Sequence, residues 1–449
     1  IYDNELVYTT LRIIVKSRSY DAIIIGAGII GAAIGYELAK KGRRTINIDM
    51  LPASGYGSTS NSCAIIRLYY STLDGCAMAY DGYSYWKSWQ AYLQAPESEV
   101  LAEFHECGTL LMKTQLNNGL KKQLVQLDAL GIPYEHWSEE DIVDRYPFYD
   151  MLNFHPAKLL DDEAFGKPTG GRVQGAIFCQ KGGYISDPQL ASRNLQLAAE
   201  RTGGEFLFNS RVSEIPRENG AVTGVVLENG TRISAPVVIN VAGPHSQKTN
   251  ALVGAEVDMK ITTRALRQEV THLPAPEGID YEALATVVSD SDVGVYSRPD
   301  VGSNILIGSE DPACDKHVFV DPDNYDKNFS DQWTVQAMRM AQRIPTLGIP
   351  SKPMGCVDLY DVTEDWLPIY DKSCVDGYYM ACGSSGNQFK NAAVAAKAMV
   401  GLIEYCEAGG DHDNKPFQYQ LETIDHKINM GTFSRLREVN QDSSFSVLG

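Results

Sequence analysis

"DAIIIGAGIIGAAIGYELAKKG", Asp21 to Gly42, decides the reading of the fold. Its first residues form a short continuous apolar run, the pattern of a strand buried on both faces of a parallel sheet. Gly26, Gly28 and Gly31 follow at once in G-x-G-x-x-G spacing, and Ile30, Ala33, Ile34 and Leu38 then recur at helical period. Strand, glycine turn and helix in that order make a dinucleotide cradle. Gly26 permits the tight turn, Gly28 lets backbone approach a pyrophosphate, and Gly31 lets helix and strand pack closely. Ile29 and Ile30 open the helix, whose N-terminal N–H groups and positive dipole end suit phosphate. Thr45–Ile48 reads as the second strand. It ends at Asp49 and Met50, about twenty residues past the glycines, where a carboxylate accepts hydrogen bonds from a ribose. This pattern alone serves NAD and FAD equally.

The bulk composition fits an ordinary globular chain. Of 449 residues, 44% are hydrophobic and 21% charged, and the length predicts about two or three domains. The formal charge of −18 argues against nucleic acid or an anionic membrane as partner. Nine cysteines, an odd number with no C-x-x-C pair, argue against a disulfide framework or a zinc site and for a reducing compartment; no metal is expected. The glycine-broken opening stretch is no spanning helix, and residues 1–19 lack the small-residue cleavage site of a secretory signal, so the expected location is cytoplasmic.

Farther along, Phe206–Asn209, Val222–Leu227, Arg232–Ser234 and Val237–Val241 read as strands. Asn229-Gly230 makes a hairpin turn, and Ala242-Gly243 offers close backbone approach at the end of the last strand. Near the C-terminus, Tyr378–Ala381 reads as a strand, then a Gly/Ser turn, then a helix from about Phe389. Between these segments lie helical patterns such as "NGLKKQLVQLDALGI" and strand-like runs "ALATVV", "VGVYSRP" and "NILIGS".

Six motifs in order resemble one family, the FAD-dependent amino acid oxidoreductases that include D-amino acid oxidase, glycine oxidase and sarcosine oxidase. They are the Gly26–Asp49 fingerprint, "NSCAIIRLYY", "GYISDPQLASRNL", "VVINVAGPHS", "LYDVTEDWLPIYD" and "GSSGNQFKNA". The resemblance spans roughly residues 20 to 405. Departures are Asn387 for a frequent His, Tyr370 for a Gly and Glu364 for a Pro. The likeness implies FAD rather than NAD. It also implies an α/β fold, with a Rossmann-like FAD-binding domain of GR2 type beside an α+β substrate domain built on a mixed or antiparallel sheet. The expected division is FAD-binding segments 20–84, 161–257 and 352–410, substrate segments 85–160 and 258–351, and a C-terminal extension 411–449. That extension would dock a partner or cap its own domain as a helix.

The resemblance implies oxidation of the C–N bond of a small amino acid or N-alkyl amino acid to an imine, by hydride transfer to flavin, and then hydrolysis. The alternative is a flavoprotein subunit of a larger amine dehydrogenase complex. A homo-oligomer or a partner subunit are both open. Arg67 matches the family's carboxylate-binding Arg, and Lys390 a Lys that assists it. Tyr296 and Arg298 alternate toward one face of a strand above the flavin, and Asn387 can hydrogen-bond substrate or flavin. Besides the fingerprint, the flavin contacts expected are Ser60, Asn61, Ser62, Ala64, Ile65, Val212, Ala242, Gly243, Gly386, Asn387, Gln388, Phe389 and Lys390. Cys356 matches a flavin-tethering Cys of sarcosine oxidases, and non-covalent FAD is the reading preferred. Leu306 stands where some relatives carry an oxygen-activating Lys. The loop 160–175 reads as a lid or a solvated loop, and Asp161, Asp162 and Glu310 as acidic groups near the site entrance.

Overall fold

The computed structural model describes residues 18–448. The reading of residues 1–19 as free of a secretory signal therefore falls almost wholly outside the described residues.

The opening apolar run is the strand Ala22–Ile25, central in a six-stranded sheet. The strand order is Glu205–Leu207, Thr45–Ile48, Ala22–Ile25, Val238–Asn240, Tyr378–Cys382 and Ile369–Lys372. The first five run parallel and the last antiparallel. Both faces are covered, which explains the unbroken apolar sequence. Ala22 and Ile24 belong to the core shared with the helices Ile29–Lys40, Pro188–Arg201 and Ala392–Glu407. Ile23 and Ile25 face a smaller four-stranded sheet through Val225, Leu227 and Ile233. The Asn229-Gly230 turn joins two antiparallel strands of that smaller sheet, with Gly230 at φ +82°.

A second, nine-stranded sheet is built mostly on Arg264–Pro274, Asn304–Ser309, Val295–Asp300 and Val287–Asp290. One face packs Val288, Ile305 and Ile307 against Trp333, Ala337 and Met340 of the helix Asp331–Arg343. Arg343 closes that helix, with Nε 2.7 Å from Asp290 and Nη2 2.9 Å from Asp292. On the opposite face, Ser289, Tyr296, Gly308, Val270 and Cys356 stand in one row across five strands. Gly308 is required there, because a Cβ would lie 2.2 Å from the Tyr296 ring.

The structure revises several boundaries. "ALATVV" begins as the end of a helix, Tyr281–Leu284, and its strand starts only at Val287. The C-terminal helix proper runs Ala392–Glu407 after a 3₁₀ turn at Phe389–Asn391. Ala176–Cys179 pairs with Thr109–Met112, and Gly355–Val362 with Arg264–Pro274. Both strands thus belong to the large sheet, against the expected boundaries at 161 and 352. The extension beyond 410 is no capping helix. It forms a hairpin, Gln418–Gln420 with Lys427–Asn429, then a turn at Met430–Phe433 and an irregular tail. Among the described residues no helix is long and apolar enough to cross a membrane.

Candidate active site

One continuous cavity of about 740 Å³ runs between the two sheets. At one end it opens on the glycine turn. A Cβ at Gly26 would lie 2.3 Å from the Val241 carbonyl, and one at Gly31 would lie 2.4 Å from the Gly26 carbonyl. Gly28 differs. All three line the cavity, but a Cβ at Gly28 would meet only the Thr59 hydroxyl, at 3.1 Å. Gly26 and Gly31 therefore make the turn, while Gly28 leaves room for a ligand. Asn47 pins the turn from behind, its Nδ2 donating to the carbonyls of Gly26 (3.0 Å) and Gly31 (2.8 Å). The Asp49 carboxylate accepts from the Ala27 (2.7 Å) and Leu51 (2.9 Å) N–H groups, which fixes it at the cavity wall. The helix N-terminus has no side-chain cap at Gly28, and the Ile29 N–H donates to Thr59 Oγ1 at 3.2 Å.

The other end of the cavity is lined by Arg67, Tyr70, Val270, Tyr296, Tyr360 and Asn387. Arg67 follows the short strand Ile65–Ile66, which pairs with Gly183–Ile185. Its side chain is 5% exposed, its Nη2 donates to the Val447 carbonyl, and its Nε has no hydrogen-bond partner among the described residues. No carboxylate forms an ion pair with it among those residues. Burying a guanidinium without a carboxylate partner costs several kcal/mol, a cost that an anionic ligand would offset. The nearby groups do not supply one. Burial pushes the Glu310 carboxyl up to about 8, with the Asp290 charge adding and Arg67 opposing. Burial, reinforced by the Arg67 charge, holds the Lys390 ammonium well below its usual range. The Tyr296 hydroxyl lies 3.6 Å from Cys63 Sγ and 3.5 Å from the Tyr360 hydroxyl, and burial keeps it un-ionised.

Of the residues expected from sequence, Gly26, Gly28, Ile29, Ile30, Gly31, Asp49, Met50, Asn61, Ser62, Ala64, Ile65, Val212, Ala242, Gly243, Cys356, Gly386, Asn387, Gln388 and Phe389 line this one cavity, with Arg67 and Tyr296. Three do not line it. Ser60 turns away and donates to the Gly57 carbonyl at 2.9 Å. Arg298 pairs with Asp300 at 2.9 Å and stacks 4.4 Å from the Tyr184 ring centroid. Lys390 sits behind the wall, Nζ bonded to the Asn387 carbonyl and 4.1 Å from the Tyr70 ring centroid. Glu310 is a buried carboxyl, not an entrance group, and both its oxygens lack a hydrogen-bond partner among the described residues. Sequence reasoning missed Thr59, Tyr70, Gln268, Tyr360 and Val447 on the wall. Tyr70 and Tyr360 had a signal, their places in the "NSCAIIRLYY" and "LYDVTEDWLPIYD" motifs.

Comparison with known proteins now bears on this geometry. The profile of the FAD dependent oxidoreductase family matches residues 21–402. The chain belongs to this family. It is 25% identical over 390 residues to the sarcosine oxidase subunit beta of Rhodobacter capsulatus, covering 86% of this chain and 85% of that one. It is 23% identical over 403 residues to the glycine oxidase of Geobacillus kaustophilus, covering 88% and 96%. Among solved structures, the L-proline dehydrogenase from P. horikoshii superposes with a TM-score of 0.74 at 19% identity, covering 94% and 98%.

The family's cofactor is FAD, and the residues present fit it. Gly28, with its open face, the Asp49 carboxylate, and Tyr296, Val270 and Cys356 of the large-sheet row all line the one cavity that would hold it. We expect Gly28→Ala to fold normally yet bind FAD at least about tenfold more weakly by fluorescence titration. Gly31→Ala, clashing with backbone, should fail to accumulate as folded protein. Equal FAD affinity in Gly28→Ala would contradict the cradle. A second expectation concerns Glu310. The folded chain keeps a proton that the unfolded chain releases near the ordinary value of 4.5. Its contribution to stability is full below that pH and is lost as pH rises toward about 8. Urea midpoints should show the native chain losing stability relative to Glu310→Gln across this window; a constant difference would contradict it.

Proposed function

We propose that the chain oxidises the C–N bond of a small amino acid or N-alkyl amino acid to an imine, which water hydrolyses to an oxo acid or aldehyde and an amine. The observation that carries this reading is Arg67, a buried guanidinium on the cofactor cavity itself that has no carboxylate partner among the described residues. When bound, FAD supplies a two-electron acceptor. Arg67 offers a planar fork to the substrate carboxylate, which fixes the reacting carbon. Tyr296 and Val270 on the cavity wall, backed by Leu306, form an apolar surface that keeps water from that carbon. Lys390 and Tyr70 brace the Arg67 side from behind.

The relatives named sarcosine oxidase subunit beta and glycine oxidase support this substrate class. The first is named as a subunit, and this favours a second reading: the chain works within a larger amine-oxidising complex. The native mass of the purified protein tests that reading.

We further propose that FAD is held without a covalent link. Cys356 lines the cavity, but burial pushes its thiol up to about 12, far from the thiolate a tether requires. A covalent link would prevent loss of FAD from Gly28→Ala on gel filtration, so the same variant tests this.

Removing the guanidinium should cost about 2–5 kcal/mol of substrate anchoring. Arg67→Met should therefore lower kcat/KM by roughly 30-fold to 4,000-fold while keeping the flavin absorbance, and Arg67→Lys should fall between. A kcat/KM within about threefold of the native value would refute the anchor.

A further inference from the structure

The tail that follows the C-terminal hairpin has two firmly held residues. Arg435 is buried and pairs with Asp371 (3.1 Å), Asp413 (2.9 Å) and Asp258. Arg437 pairs with Asp365 at 2.7 Å and donates to the Leu367 carbonyl at 2.8 Å. Burial opposes ionisation of Asp365, yet the Arg437 guanidinium holds its carboxyl below the usual range. Asn440 N–H also donates to Asp365, at 3.2 Å. These contacts deliver the chain to the loop that carries Trp366.

Beyond Asp442 the character of the contacts changes. Among the described residues, the hydrogen bonds of Ser443–Leu448 are local, such as Phe445 N–H to Ser443 Oγ (3.0 Å) and Leu448 N–H to Ser446 Oγ (3.2 Å), with one exception. The exception is the Val447 carbonyl, which accepts from Arg67 Nη2. The Val447 side chain is 2% exposed and packs in one cluster with Cys63, Val270, Tyr296, Leu306 and Trp366. Phe445, two residues earlier, is 40% exposed. The segment thus places a carbonyl on the guanidinium and an isopropyl group on the apolar wall. An aliphatic amino acid would present its carboxylate and side chain in the same way.

We propose that Ser443–Leu448 is an intrasteric plug of the substrate end of the cavity, with Val447 standing in for an aliphatic amino acid that binds only when the segment swings out. The proposal rests on the reading of Arg67 as the carboxylate anchor. The energetics allow exchange. A single neutral carbonyl holds a guanidinium less strongly than a carboxylate, which adds ionic attraction and a bidentate fork, but a tethered segment competes at an effective concentration of millimolar order. Substrate affinity is then reduced by the fraction of molecules that are closed. The plug also selects: the wall that accepts an isopropyl group favours substrates with a compact aliphatic side chain.

Isovalerate tests this directly, since it carries the carboxylate and isopropyl group but no amine to oxidise. Its Kd is measured by calorimetry on three FAD-loaded proteins: the full chain, a chain ending at Asp442, and Val447→Gly in the full chain. Both altered proteins should bind at least about tenfold more tightly than the full chain, and the peptide SSFSVLG should displace isovalerate from the shortened chain. The point variant keeps the rest of the tail, so it decides the matter if the shortened chain misfolds. Equal Kd values in the full chain and Val447→Gly would overturn the plug and leave the anchor standing. Absence of isovalerate binding in all three would overturn both.

Discussion

A guanidinium buried with no carboxylate partner among the described residues is the constraint on which the reaction end of this structure depends. Arg67 is desolvated and, among the described residues, meets the Val447 carbonyl and the Tyr70 ring but no carboxylate. Among the described residues, the nearby ionisable groups do not neutralise its charge. Glu310 is kept protonated by burial, and Lys390 is driven toward the neutral amine by burial and by Arg67 itself. The result is one localised positive charge in a dry, aromatic setting, where a carboxylate gains far more than it would at the surface. The large sheet exists, in functional terms, to hold the wall opposite that charge, and Gly308 allows Tyr296 to lie flat across the row.

The cofactor end rests on a different kind of constraint, which is steric. Two of the three fingerprint glycines face backbone at distances that no side chain tolerates, and the third faces the cavity. Asn47, on the neighbouring strand, ties both ends of the turn together through one amide. Cradle and anchor lie on one continuous cavity, so the position of the bound dinucleotide couples them.

The cradle was legible in sequence because its determinants are local. Strand, turn and helix are contiguous, and Thr45–Ile48 and Asp49 fall where the spacing predicts. Asn47 was not legible, since nothing in "TINI" tells an amide aimed at a neighbouring turn from one aimed at solvent. Tyr296 and Arg298 do share a strand by alternation. Two residues along a strand are about 7 Å, however, and that step carries Arg298 out of the cavity and under Tyr184. Lys390 lies one layer behind the position its motif suggests: Tyr70 and Asn387 stand between it and the ligand space. Val447 is far from Arg67 in the chain and carries no motif, so only the tertiary path of the tail could reveal it. The two misplaced strands, Ala176–Cys179 and Gly355–Val362, show the same limit, because pairing partners are not written in a strand's own residues.

The central claim is that a carboxylate on Arg67 positions the substrate. The most direct measurement compares acids with their esters. Sarcosine and L-proline, and the methyl ester of each, are mixed without oxygen with the FAD-loaded chain while flavin absorbance is followed. The account predicts that at least one acid bleaches the flavin and that its ester, which cannot offer an anion to Arg67, does so about a hundredfold more slowly or not at all. Bleaching at equal rates by acid and ester would contradict it.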